Sequence, residues 1–127
     1  MKIIGTGIDL VEVQRISASI ERFGERFLNR VFTAHEIHYC RSKHNFAERF
    51  AARFAAKEAA LKAIGTGWRG GVAWREVEVR REPGGRPTLH YSGRAAEFAG
   101  RLGVSRASLS LTHTTAHAIA QVILEGE

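Results

Sequence analysis

Residues 45–64 constrain the fold more than any other stretch. They are rich in alanine and carry Phe46, Phe50, Phe54, Leu61 and Ile64 before a stop at Gly65, which predicts one long helix. Residues 2–8 read as a short strand with two glycines, and Val13, Ile16, Ile20 and Phe23 give 10–23 a helical spacing. Residues 65–71 form a glycine-rich loop. Val72–Arg81 alternates as a strand, Pro83-Gly84-Gly85-Arg86-Pro87 turns, and Thr88–Tyr91 returns. Ser92 or Gly93 opens a short helix that closes near Gly103. Residues 107–112 and 116–124 read as two strands about a turn at Thr112–Thr115. The expected class is α+β, helices early and strands late, with the long helix packed on an antiparallel sheet. No repeat or linker divides the chain, so 1–127 reads as a single domain.

Composition narrows the function. At 127 residues and 44% apolar content the chain can build a core without a metal or disulfide staple. One cysteine, Cys40, excludes an internal disulfide and suits a reducing, cytoplasmic setting. Met1-Lys2-Ile3-Ile4 begins like a signal peptide, but Gly5, Gly7, Asp9 and Glu12 cut the apolar run. No stretch reaches the length of a membrane span. The net charge of +6 favours acidic or phosphorylated partners.

Some residues break their own pattern. Asp9 with Glu12 three residues on has the form of a helix N-cap. It equally suits a carboxylate at a strand-to-helix junction holding a cation. Glu58 shares the helix stripe of Phe50, Phe54 and Leu61, where an unpaired carboxylate is costly. A pair with Lys62 explains a surface contact, and a bound cation explains the apolar side. Lys57, Glu58 and Lys62 together suggest a site for a magnesium–phosphate substrate. Arg15, Arg22, Arg26 and Arg30 would line one face of a continuous helix, either as a solvated face or as a strip for an acidic partner. His113 lies among hydroxyls in Thr112-His113-Thr114, where it suits a phosphate or a purely structural role. His113 with His117, and His35 with His38, have zinc-pair spacing but no completing ligands. Gly5-Thr6-Gly7 and Gly65-Thr66-Gly67 complete neither a dinucleotide fingerprint nor a P-loop.

Three segments in order carry a resemblance: Gly5-Thr6-Gly7-Ile8-Asp9, Arg53 to Gly67 with Lys57-Glu58-Ala59-Ala60-Leu61-Lys62, and Ser108 to Thr114. The chain resembles the holo-acyl-carrier-protein synthase family, the short bacterial 4′-phosphopantetheinyl transferases, nearly end to end. The resemblance implies that fold, a homotrimer with active sites between subunits, and a cytoplasmic enzyme of fatty acid biosynthesis. It implies Mg²⁺-dependent transfer of 4′-phosphopantetheine from coenzyme A to a serine of apo acyl carrier protein, releasing adenosine 3′,5′-bisphosphate. By the matching motifs, Asp9 and Glu58 would hold the metal and Lys62 would neutralise phosphate charge. Arg53, Lys62, Gly65, His113 and Thr114 would contact the coenzyme, with Pro87 near the adenine. Arg15, Arg22, Arg26 and Arg30 would face the acidic carrier. The base stays open between Glu58 and a water on the metal. His38 stands near the place where family members often carry an acidic residue after Phe32-Thr33-Ala34-His35-Glu36.

Two rival readings come from other classes. A basic nucleic-acid binder would stack bases on Trp68 or Trp74, but it leaves Glu58 unexplained. A catalytically silent coenzyme A or carrier-binding module would not need Asp9, Glu58 and Lys62 together.

Overall fold

The computed structural model describes residues 1–67 and 69–127. In chain order it contains β1 (Lys2–Glu12), α1 (Val13–Phe23), α2 (Glu25–Val31), α3 (Ala34–Arg41), α4 (Phe46–Ile64), β2 (Val77–Arg81), β3 (Pro87–Tyr91), α5 (Gly93–Arg101), β4 (Val104–His113) and β5 (His117–Gly126). β5 is the centre of a three-stranded antiparallel sheet, flanked by β1 and β4. β2 and β3 form a separate hairpin. The class is α+β, as expected, although the earliest element is a strand.

The long helix α4 packs on β1 and β5. Gly5 and Gly7 allow this at close range. A Cβ on Gly7 would overlap the Ala59 carbonyl oxygen, and one on Gly5 the Ala63 carbonyl oxygen. Strand backbone therefore meets helix backbone directly, and alanine is the side chain the helix brings: Ala55, Ala59 and Ala63 are buried. From β5 the same layer receives Ala118, Ala120, Val122 and Leu124, all buried. Beyond α4, Phe32 and Phe50 close the core with rings 4.9 Å apart.

Four local expectations need correction. β1 runs on to Glu12, so Asp9 lies within a strand and caps no helix; Glu12 holds the N-cap position of α1 without a side-chain bond. The reason is a continuing period of two: Gly7, Asp9 and Val11 face inward while Ile8 and Leu10 face out. The arginine-bearing helix is not continuous. Gly24, at φ 56° and ψ −131°, separates α1 from α2 with a backbone that a residue carrying Cβ rarely adopts. The strand expected over Val72–Arg81 begins only at Val77, after a 3₁₀ turn at Trp74–Glu76. There the Glu76 carboxylate accepts from the Ala73 and Ala95 backbone N–H groups. Trp74 stacks on Phe54 with centroids 4.9 Å apart, so it is no platform for a base. Trp68 lies outside the described residues. Among the described residues no helix is long and apolar enough to cross a membrane.

Candidate active site

The packing of β1 on α4 decides where Asp9 falls. A strand advances about 3.3 Å per residue and a helix about 1.5 Å, so two strand residues match one helical turn. Gly5 lies against Ala63 and Gly7 against Ala59, which sets the next inward residue, Asp9, beside the turn ending at Glu58. Lys62 follows Glu58 by one turn on the same side of the helix. Its Nζ lies 3.1 Å from Asp9 Oδ1 and donates to the Ile8 carbonyl at 3.0 Å. The Asp9 side chain is mostly buried, and that of Lys62 is about half exposed. Glu58 is partly exposed. Asp9 and Lys62 thus form an ion pair at the edge of a sheet, open to solvent on one side, with Glu58 one helical turn before Lys62.

No group of three or more His, Cys, Asp and Glu side chains clusters for a metal among the described residues. Mg²⁺ fits what is present. It takes few protein carboxylates and completes its shell with phosphate oxygens and water. Asp9 and Glu58 are the pair that would hold it.

Lys57 does not join this site. It is fully buried on another side of α4 and paired with Glu36 at 2.8 Å. Its Nζ also donates to the Trp74 carbonyl at 3.2 Å and to the Val77 carbonyl. Burial pulls the Lys57 pKa down, and the Glu36 carboxylate opposes that pull. Glu36 in turn accepts from Thr33 N–H at 2.8 Å and Val79 N–H at 2.7 Å, joining α3, α4 and β2. Sequence reasoning missed this node, although Thr33-Ala34-His35-Glu36 has the spacing of a capping box.

The other expected coenzyme contacts form separate groups. Arg53 is buried against the Tyr39 ring, its guanidinium carbon 4.3 Å from the centroid, and its Nε has no hydrogen-bond partner among the described residues. Burial lowers its pKa, but a guanidinium remains charged. Arg81 stands over the same ring at 5.5 Å. His113 ends β4, and its Nδ1 lies 2.9 Å from Glu48 Oε1 in the first turn of α4. Thr114 follows in the turn, where its Oγ1 accepts from Ala116 N–H at 3.1 Å and His117 N–H at 3.0 Å. Pro87 opens β3 and lines a cavity of about 620 Å³ with Arg86, Arg106, Ser108 and Ser110. Gly65 closes α4 in the left-handed conformation at φ 78°.

Arg15 and Arg22 are exposed on α1, and Arg26 and Arg30 on α2. Phe23, Arg26, Phe27 and Arg30 line a groove of about 300 Å³, and the Arg22 guanidinium sits 5.2 Å from the Phe23 ring centroid. His38 is exposed on α3. Glu48 escaped the sequence reading because no local pattern links it to a residue 65 positions on.

The open Asp9–Lys62 pair leaves an ammonium able to meet a phosphate, and comparison gives the class: a transferase. Residues 5–122 match the 4′-phosphopantetheinyl transferase superfamily, and the chain belongs to it. It is 65% identical over 123 residues to the holo-[acyl-carrier-protein] synthase of Koribacter versatilis, covering 97% of this chain and 98% of that one. The crystal structure of the Neisseria meningitidis holo-[acyl-carrier-protein] synthase matches with a TM-score of 0.89 at 34% identity, over 98% of this chain and 99% of that one. The Helicobacter pylori synthase, solved in complex with coenzyme A, matches with a TM-score of 0.83 at 29% identity, over 94% and 99% of the two chains. The resemblance read from the three sequence segments is borne out at the level of family and fold.

Proposed function

We propose that this chain, acting as one transferase domain, catalyses the holo-[acyl-carrier-protein] synthase reaction. It moves 4′-phosphopantetheine from coenzyme A to a serine of apo acyl carrier protein, in the cytoplasm, for fatty acid biosynthesis. The observation that carries the reading is the open Asp9–Lys62 pair beside Glu58, in a family whose relatives bear that name.

The serine oxygen attacks the phosphorus that bears pantetheine. A new P–O bond forms there, and the bond to the second phosphorus's bridging oxygen breaks. Adenosine 3′,5′-bisphosphate leaves with that oxygen. Lys62, half exposed, would neutralise charge on the phosphates, and Glu58 is the residue proposed to take the serine proton. Asp9 and Glu58 would hold Mg²⁺, which when bound offsets the charge of the pyrophosphate. Arg53 brings a buried guanidinium lacking a partner at Nε among the described residues, a charge that a phosphate would satisfy. His113 and Thr114 contact the nucleotide phosphates, and Pro87 flanks the adenine. The arginines of α1 and α2 face the acidic carrier, with Phe23 and Phe27 supplying apolar area.

A homotrimer with shared sites accounts for two observations. The outer face of the three-stranded sheet carries Ile8 and Leu10, each 60% exposed, with Ile119 opposite Leu10. A monomer has no use for that apolar face, and a second copy covers it. The expected coenzyme contacts also lie in separate groups along one chain, which suits a coenzyme held between subunits.

Intact-mass spectrometry of apo acyl carrier protein with this protein, coenzyme A and Mg²⁺ tests the reading. A phosphopantetheine-sized gain that disappears with EDTA is expected. No gain on any carrier, with coenzyme A demonstrably bound, would leave a silent binding module.

A further inference from the structure

We infer that Glu48 is a positioning residue for the reaction: it holds the His113 imidazole in one orientation and one tautomer, aiming Nε2 at the coenzyme. The inference rests on the reading of His113 as a phosphate contact and extends it to a residue outside the family's recognised motif segments in this chain.

The geometry is specific. Glu48 stands in the first turn of α4, where a carboxylate already suits the helix N-terminus. It does not turn back to cap its own helix. It reaches the end of β4 instead, and Oε1 lies 2.9 Å from His113 Nδ1. Both side chains are about four-fifths buried, at 20% and 23% exposure, so water competes weakly for the contact. His113 pairs with Ala118 on β5, across from Val11 on β1, so the ring belongs to the sheet face that α4 covers.

The chemistry follows from what each group can do. An ionised carboxylate only accepts, so Nδ1 must carry a proton. That leaves Nε2 as the ring atom free to meet a ligand. When the ring takes a second proton, it sits on Nε2 and donates. Without Glu48 the imidazole can turn over or exchange tautomers, and a fraction of molecules presents the wrong atom. If His113 meets the 3′-phosphate, which lies outside the bond that breaks, the loss falls on coenzyme binding and spares turnover.

Steady-state kinetics and ¹⁵N NMR of the histidine ring nitrogens test this together. Glu48→Ala is expected to raise KM for coenzyme A roughly tenfold, the scale of one charge-assisted hydrogen bond, with kcat within about twofold. Glu48→Gln, which keeps an acceptor oxygen, recovers most of that loss and retains the Nδ1–H signature of His113. Adding Glu48→Ala to His113→Ala costs nothing further. An Nδ1–H signature unchanged in Glu48→Ala, or a full additional loss in the double variant, overturns the positioning role. A changed signature with KM unaffected by His113→Ala overturns instead the phosphate role of His113, and with it any catalytic consequence of Glu48. If the alanine variant does not fold, Glu48→Gln decides alone: loss of the Nδ1–H signature refutes the inference.

Discussion

Helix α4 carries two lysine–carboxylate pairs, and they differ in almost everything but composition. Lys57 and Glu36 are both fully buried, and the three donors of Lys57 meet Glu36, the Trp74 carbonyl and the Val77 carbonyl. Lys62 and Asp9 meet at a similar distance, but Lys62 is 52% exposed and half free to turn to another anion. Five residues rotate a helix by about 140°, so neighbouring lysines face different surroundings. The closed pair has no capacity left for a ligand. The open pair has capacity and little structural commitment. On the proposed mechanism, stability and chemistry sit on different sides of one helix, within two turns of each other.

Substitutions sharpen that contrast. The largest effect is expected from Asp9→Ala or Glu58→Ala, each dropping carrier modification by at least about a thousandfold. Urea unfolding should move by no more than about 1 kcal/mol, since the pair partner Lys62 is half in water. Near-normal turnover at saturating Mg²⁺ would break the metal assignment. Next, Lys57→Ala should cost about 3–5 kcal/mol in the same unfolding assay, because it leaves the Glu36 carboxylate buried without its cation. A shift below about 1 kcal/mol would mean that the closed pair is not closed in solution.

Lys62→Ala comes third, with kcat lower by about a hundredfold and stability within about 1 kcal/mol. A comparable loss in KM for coenzyme A with kcat intact would turn Lys62 into a binding group alone. The effect confined to alkaline pH is on the closed side. Burial pushes the Cys40 thiol up to about 12 from an ordinary 9.0. The unfolded chain therefore ionises first, and stability present below pH 9.0 falls as pH rises toward about 12. The slope from this group is at most about 1.4 kcal/mol per pH unit. Cys40→Ala should flatten the alkaline decline relative to the parent, and parallel curves would deny the thiol's burial.

The sequence made the helix visible because alanine, five large apolar side chains and Gly65 all agree over 45–64. It made Asp9, Glu58 and Lys62 visible because two carboxylates and a lysine stood out against apolar neighbours. It obscured the state of Asp9. Val13, Ile16 and Ile20 extend a helical spacing backwards, while the inward alternation of Gly7, Asp9 and Val11 extends the strand forwards, and sheet pairing with β5 settles the conflict. It also joined Lys57 to the wrong group, since adjacency in sequence says nothing of which side of a helix is covered. Helix α3 was not foreseen, and α2 only as a continuation of α1, because each is short and gains its order from packing more than from periodicity. Contacts such as Glu48 with His113 and Glu36 with Val79 have no local signature at all.

The division of labour on α4 is tested most directly by the turnover of folded Glu36→Gln/Lys57→Met protein. This double variant replaces the closed pair without leaving a buried charge. Measured by intact mass of the carrier and normalised to the folded fraction, its kcat should stay within about threefold of the parent, since neither residue touches the open site. A fall of about a hundredfold in fully folded protein, as severe as that expected for Lys62→Ala, would contradict the separation and place Lys57 in the chemistry.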